Sequence, residues 1–449
     1  VWSDELWDVH LGPGSEALCL ESIDESTGLY AGRPQDHPAI LALLERTSGK
    51  RLALDFASRV DEPGYQAADR LLLRQGSRLL AQVNVMHRVA WLGGNRAPIA
   101  NFVDCAAAPE ATDRNLIKTM WDVAEDQAMR EGAIIGFAYA CDASTLAGRG
   151  WRPLPQQGYT RIAARTALAR LEDQRTRREA RYGEAARRPL QVTACRCFHA
   201  DALRRIYERR FSPVSGALYR SDEHWQWLLS RGAHDQVLLA HKAPQSPSGE
   251  VGEVALDDIV GYAVVKDSCV VEMAVEEQHR ASRGLLLAEV CRNAIEHGRR
   301  HIELHAPADD PLHDLLITAG GTWRLSDSPH ACRWLLKLLA PEKWVERQFE
   351  AWQQRTRDAG LARPLEFHLL ADGMSQRFQL TRRCSRLLRG RDNPSSWVAG
   401  GVADLHAALL GADPTVPLRF SDDEVAHIFG QVAPRQTFWR SPWETLRLN

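Results

Sequence analysis

The chain has 449 residues, 44% of them hydrophobic and 25% charged, with a formal net charge of -2. That length suits about three ordinary domains of roughly 150 residues, each large enough to bury its own core. The near-neutral charge argues against a nucleic-acid or membrane-surface binder, and no apolar run approaches the roughly 20 residues that a membrane helix needs.

Residues 1–27 read as an irregular extension. The opening VWSDELWDVHLGPGSE is acidic and aromatic and lacks the basic and apolar regions of a signal peptide. Nine scattered cysteines fit reduced thiols rather than a disulfide framework, so the expected compartment is the cytoplasm. GLYAGRPQDHPAILALLER predicts a short strand and a helix carrying Leu41, Leu43 and Leu44 on its apolar stripe. Residues 69–109 predict successive strands, with turns at Arg74-Gln75-Gly76 and Gly93-Gly94-Asn95. NLIKTMWDVAEDQAMREG predicts a helix ended by Gly132, AIIGFAYA a buried strand, and GRGWRPL closes the unit near residue 165. The Arg-rich run that follows alternates with acids and reads as a solvated connecting helix rather than a nucleic-acid patch.

The order then recurs: a helix in FHADALRRIYERRF, a second ending in WQWLLSRG, several strands up to VVEMAV, a helix in RGLLLAEVCRNAIEHG, the strand HIELH, a helix in DPLHDLLITAGG, and TWRL. A unit of about 150 residues appearing twice means duplicated domains rather than a solenoid. The tail from 341 differs. LEFHLLADGMSQRFQL alternates as a hairpin about Asp372-Gly373, SSWVAGGVADLHAALLGA runs from strand to helix, and SDDEVAHIFGQV begins a helix at Ser421, with Glu424 completing a capping box. The expected division is 1–27, 28–165, a linker helix at 166–190, 191–340, and 341–449. Cys195, Cys197 and His199 have no second metal half-site and read as a buried strand. His297, His301 and His305 share a four-residue spacing but fall across a helix end and a strand, and no metal is expected.

Two junctions carry the chemistry: FVDCAAAPEATDRNLIKTM and VVEMAVEEQHRASRGLLLAEV, each a strand feeding a helix through a charged loop. The free N–H groups and positive dipole end of such a helix suit a pyrophosphate, and the preceding strand can pair with an extended thioester arm.

These junctions resemble the GCN5-related N-acetyltransferases, whose motif V-x-P-x-x-R/Q-x-x-G-x-G/A holds acetyl-coenzyme A. Val275 and Arg280 match it; Glu277 stands in the Pro slot and Gly284 is displaced by one. In the first junction Pro109 matches, Thr112 fills the Arg/Gln slot, and Asp113 and Asn115 stand in a loop without glycine. With its tail the chain is similar to the enhanced intracellular survival aminoglycoside acetyltransferases, which end in a sterol-carrier-protein-like domain. The fold expected is thus α/β (α+β): two tandem domains of mixed, mostly antiparallel sheet with flanking helices, plus a small sterol-carrier-like α+β domain. The resemblance implies acetyl transfer from acetyl-CoA to a small-molecule or peptide amine, no nucleic acid or membrane span, and assembly into homo-oligomers. It also implies a catalytic first domain, a general-acid Tyr in the late loop, where DASTLAGRGW has none, and a C-terminal carboxylate as base, here that of Asn449.

Acetyl transfer needs a neutral amine, a polarised thioester carbonyl and a protonated leaving thiolate. Glu272 and Asp104, on the strands entering the two junctions, are the candidate carboxylates, and His313 is a further acid–base candidate. The cofactor contacts expected in the second domain are Met273, Val275, Arg280, Ala281, Ser282, Arg283, Gly284 and Leu285. The alternatives are a non-catalytic cofactor binder or scaffold, and an apolar-ligand carrier with Trp397, Phe420, Phe429 and Trp439 lining the tail.

Overall fold

The computed structural model describes residues 18–446 except 50–51, 110, 112–113, 141–145, 147, 155–157, 183–188, 244–253, 326–332, 359, 361–364, 372–373, 381–384, 389–395, 411–416, 433 and 435–437. The chain begins with β1 (Cys19–Ser22), β2 (Thr27–Ala31), α1 (His37–Ser48), α2 (Ala53–Val60), β3 (Arg70–Gln75), β4 (Arg78–Leu92), β5 (Asn95–Ala107), α3 (Arg114–Arg130), β6 (Ile135–Ala140) and β7 (Arg152–Pro153). It continues through β8 (Gly158–Ala163), α4 (Ala164–Tyr182), β9 (Leu190–Ala194), α5 (Ala200–Phe211), α6 (Asp222–Ser230), β10 (Gln236–Lys242), β11 (Ile259–Lys266), β12 (Cys269–Val275), α7 (Ala281–Glu296), β13 (His301–His305), α8 (Pro311–Thr318), β14 (Thr322–Leu325) and β15 (Arg333–Leu338). The tail adds α9 (Pro341–Asp358), β16 (Leu365–Ala371), β17 (Met374–Leu380), β18 (Ser385–Leu388), β19 (Trp397–Ala399), α10 (Val402–Leu409), β20 (Arg419–Phe420) and α11 (Asp423–Val432).

The strands form three sheets, ordered β1-β2-β3-β4-β5-β6-β15-β7, β14-β8-β13-β12-β11-β10-β9 and β18-β17-β16-β19-β20. Both large sheets are antiparallel except where β5 meets β6 and β12 meets β13. In each case the intervening helix makes the crossover that a parallel pair requires. The expected α/β architecture, two mostly antiparallel sheets with flanking helices and a third small sheet, is present.

Two strands exchange places. The sequence reading keeps 158–165 within the first unit and ends the second by 340. The structure instead inserts β8 between β13 and β14 of the second sheet, and β15 between β6 and β7 of the first. The two halves are therefore stitched together by main-chain ladders. Gly136 sits where this sheet meets Trp151: a Cβ there would lie 2.7 Å from the indole, so the strand needs glycine to admit the ring.

The tail packs against the first sheet. Trp344, Trp352, Leu369, Leu405 and Phe429 share one buried cluster with Ile99, Ile135 and Phe137. Trp439 is buried in a second cluster with Phe211, Trp225 and Trp443, and Phe420 rests against the first. These aromatics are core. α11 is capped by Asp422, whose Oδ1 accepts from the Val425 amide at 2.8 Å, one residue beyond the Ser421 expected; the Ser421 hydroxyl instead accepts from the Trp397 amide. Residues 197–199 form a 3-10 turn after β9 rather than a strand. Among the described residues no helix is long and apolar enough to cross a membrane.

Burial, then the nearby Lys337 ammonium, pushes the His406 imidazole on α10 down to about 4. Folded, this ring stays neutral, whereas the unfolded chain protonates it below about 6.5. Its contribution to stability is therefore present above pH 6.5 and is lost as pH falls from there towards 4. The loss should amount to roughly 3 kcal/mol. Comparing the pH dependence of urea midpoints should show a shallower acid slope in His406→Gln than in the unmodified chain; equal slopes would refute it.

Candidate active site

The first junction opens where two strands part. β5 and β6 pair from Ile99–Ile135 to Phe102–Ala138, yet β5 runs on to Ala107 and β6 to Ala140. Among the described residues these edges are unpaired, and they form a V on the side of the 17-residue helix α3. Of the alanines that follow, Ala106 and Ala108 are buried against α1, and Ala107 is exposed. A bulge shapes this stretch: Asp104 and Cys105 together oppose Val83 alone, since the ladder steps from Asn84–Val103 to Gln82–Ala106. Asp104 takes a positive φ of 52°, a conformation that a non-glycine residue holds only when its surroundings enforce it. Here the Gln82 amide donates to the Asp104 carbonyl, and the buried Arg70 guanidinium holds the Asp104 carboxylate at 3.2 Å. Arg70 also donates to Gln82 Oε1 (3.1 Å) and to the Tyr65 hydroxyl (3.1 Å), which in turn meets His37 Nε2 at 2.9 Å.

The face of the sheet carrying Arg70 is unusually polar for a buried surface. Asn84 and Asn101 are buried there, and each has a side-chain carbonyl oxygen without a hydrogen-bond partner. Arg88 pairs with Glu62 at 2.6 Å. Arg440 lies over the rings of Phe137 (5.1 Å) and Trp334 (4.7 Å) and donates to the Gly216 carbonyl. Burial lowers its guanidinium to about 10. Trp334 belongs to the exchanged strand β15, and Arg440 to the tail, so this face is assembled from three distant parts of the chain. Burial and then the Asp104 charge push the neighbouring Cys105 thiol up to about 12, which keeps it protonated and non-nucleophilic.

The second junction has the same run of elements and a closed mouth. β12 and β13 pair only at Cys269–Glu303 and Val270–Leu304. Across the gap beyond, Arg210 of α5 ion-pairs with Asp310, the buried N-cap of α8. Glu276 is held by Arg209 at 2.9 Å. Glu277 binds both Arg280 and Arg283, so the cations that would meet a pyrophosphate are already neutralised. The loop is a 3-10 turn whose His279 and Arg283 amides bond back to Glu276 and Arg280, leaving fewer free N–H groups to cradle an anion.

No protein-family model and no curated protein matches the chain. Solved structures do match it along nearly its whole length. A GCN5-related N-acetyltransferase from Kribbella flavida gives a TM-score of 0.65 at 16% identity, over 92% of this chain and 96% of that one. A probable N-acyltransferase of unknown function from Enterococcus faecalis V583 gives 0.69 at 10%, over 92% and 99%. Eis1 from Mycobacterium abscessus gives 0.57 at 15%, also over 92% and 99%. The fold is that of the GCN5-related N-acetyltransferases. At such identities the likeness establishes fold and nothing finer.

On this N-acetyltransferase fold the candidate residues take other places than the sequence suggests. Glu272 is fully buried and gripped bidentately by Arg220 (2.9 and 2.6 Å), with the Tyr262 hydroxyl donating at 2.7 Å. Three hydrogen bonds and full burial tie this carboxylate to Arg220 and Tyr262 and keep it away from solvent. Asp104 anchors the bulge rather than standing free as a base. His313 is buried between the Thr160 hydroxyl (2.8 Å) and the Ala306 carbonyl, edge-on to Trp323; burial lowers its imidazole. Met273 and Val275 are core. The Ser282 hydroxyl donates to the His279 carbonyl, and Gly284 lies under Leu171 of α4. Ala281 and Leu285 are half-buried on the first turns of α7, and Arg280 is exposed. The expected second-domain cofactor set is thus turned to packing and ion pairs. Thr112, Asp113 and Asn449 fall outside the described residues. Arg70, Gln82 and Asn84 lie outside the expected site; they are polar residues at intervals within otherwise apolar strands, which is itself a signal of a buried polar site.

Proposed function

We propose that the chain is a coenzyme A-dependent N-acyltransferase, that its cofactor site is the first junction, and that the second domain is a structural copy. The observation that carries this reading is the contrast between the two mouths: among the described residues the first has unpaired strand edges, while the second is bridged by Arg210–Asp310. The residues at the first junction suit a coenzyme A thioester. The free edge of β5 would take the pantetheine arm as an added strand, and the first-turn amides of α3 would take the pyrophosphate. Acetyl-CoA would supply an activated acyl group. A main-chain N–H of the bulge at 103–105 would donate to the thioester carbonyl, and Arg70 and Gln82 hold that bulge in place. The acceptor, an amine, would approach over the face of Asn84 and Asn101, whose carbonyl oxygens lack donors. The sterol-carrier-like reading of the tail belongs with this proposal as ancestry; its aromatics are packed, which favours a scaffold over a carrier.

Calorimetry on the intact chain tests the assignment. Ala107→Glu puts a carboxylate beside the first mouth and should weaken acetyl-CoA binding at least tenfold. Arg280→Glu, in the second loop, should leave it unchanged. The opposite pattern moves the site to the second domain, and no binding by the unmodified chain removes the enzymatic reading.

A further inference from the structure

We propose that Cys269, Glu303 and His305 form a three-ligand site for a zinc-class divalent cation at the base of the second sheet. Cys269 opens β12 and stands directly opposite Glu303 on β13. His305 lies two residues further along β13, on the same face of the sheet. Their ligand atoms, a thiol sulfur, a carboxylate oxygen and an imidazole nitrogen, all lie within 4.8 Å of one another. A tetrahedral zinc centre sets such atoms roughly 3.5 Å apart, given Zn–S near 2.3 Å and Zn–N near 2.0 Å, so small side-chain rotations close the geometry. Sulfur with nitrogen and oxygen suits zinc and excludes the all-oxygen preference of magnesium and calcium.

The surroundings fit that use. The two Glu303 oxygens are divided between neighbours: Oε2 faces Cys269 Sγ at 3.6 Å, and Oε1 faces Arg161 Nε at 3.6 Å. Arg161 thereby orients the carboxylate and leaves one oxygen for the cation, the part an outer-shell partner plays. The His305 ring is fixed by stacking on Tyr159 at 5.3 Å. A surface cavity of about 240 Å³ reaches Cys269 and Glu303, bordered by Arg161, Asp267, Ser268, Arg299, Arg300 and His301, with Arg299 paired to Asp267 and Arg161 to Glu303. It gives a cation access to two of the three ligands from solvent. The place also has a mechanical meaning. β12 and β13 share only two paired positions, one of them Cys269–Glu303, so an ion there would clamp the two strands at the root of their splay. This inference does not depend on the acyltransfer reading.

The test is titration of the full chain, stripped with chelator, with cobalt(II) and then zinc(II). A thiolate-to-cobalt charge-transfer band saturating at one equivalent and displaced by zinc is expected. Cys269→Ser should abolish the band. Glu303→Gln and His305→Gln should each weaken zinc binding by at least about tenfold, and Cys195→Ser should change nothing. No band in the unmodified chain, or a band that survives Cys269→Ser, overturns the proposal. Should Cys269→Ser fail to fold, thermal melts decide: zinc should raise the Tm of the unmodified chain and not that of Glu303→Gln, and equal rises in both overturn it.

Discussion

Arg220→Ala should destabilise the chain by about 3–5 kcal/mol, a drop in Tm of roughly 5–15 °C. The Arg220 side chain is fully buried, and it neutralises two carboxylates, Glu272 at 2.6 Å and Glu444 at 2.5 Å. It is also boxed by the rings of Tyr207 (4.1 Å), Trp225 (4.8 Å) and Trp443 (5.2 Å). Removing it leaves two charges in a medium that cannot solvate them, which costs far more than the pair itself contributes. Replacing all three, as Arg220→Met with Glu272→Gln and Glu444→Gln, removes the stranded charges and should recover most of the loss. A triple variant no more stable than Arg220→Ala would refute this account. Burial alone would raise the Glu444 carboxyl, but Arg220 and His224 outweigh it and hold it well below the usual carboxylate range. The stability that Glu444 contributes is thus complete above about pH 4.5 and is lost as pH falls further. The same experiment separates roles for Glu272. If it is structural, Glu272→Gln lowers the melting point and leaves turnover per folded molecule intact.

This network explains what the tail does for the two large domains. Ser215 pairs with Phe438, Trp439 stacks on Phe211 at 4.6 Å, and Arg231 binds the Leu446 carbonyl while pairing with Asp55 of α2. The tail runs as a strap from the first domain's core over the second domain's helices, where Arg231 links its end to Asp55 of the first domain. Trp227 of α6 reinforces the joint by donating to the Ser58 carbonyl at 2.8 Å.

Local pattern was enough to read most elements, because hydrophobic period and turn residues are written within a few positions of one another. The strand, bend and helix over 271–297 are one example. Partners are not written locally. Glu272 reads as a carboxylate at a strand end, and its counter-ion stands 52 residues upstream; Asp104 reads alike, with its partner 34 residues upstream. Motif spacing is also silent on neighbours: Val275 and Arg280 match the cofactor motif, and Glu277, three residues before Arg280, pairs with it on the surface. Cys269 and Glu303 are 34 residues apart and belong to no spacing motif, so only the sheet brings them together.

The exchange of β8 and β15 leads to the second large effect. The sequence invites a cut within 183–188, between α4 and β9, yet the piece before that cut should not fold alone. It would lack β15, which pairs with β6 at six positions and covers the gap to β7. With β15 go Leu335, Leu336 and Leu338, all buried. At about 1.5–3 kcal/mol each, their burial is worth roughly 5–9 kcal/mol, comparable with the whole stability of an ordinary domain. The same piece would carry β8 with neither of its partners, an alternating strand whose buried face is left exposed and prone to aggregation. Residues 1–186 expressed alone should be insoluble or show no cooperative melt, and co-expression with 187–449 should restore one. Grafting residues 332–340 onto the shorter piece should restore part of its order, because it returns β15 but not the sheet that β8 needs. A cooperative transition from 1–186 alone would mean that the exchanged strands are not what binds the halves.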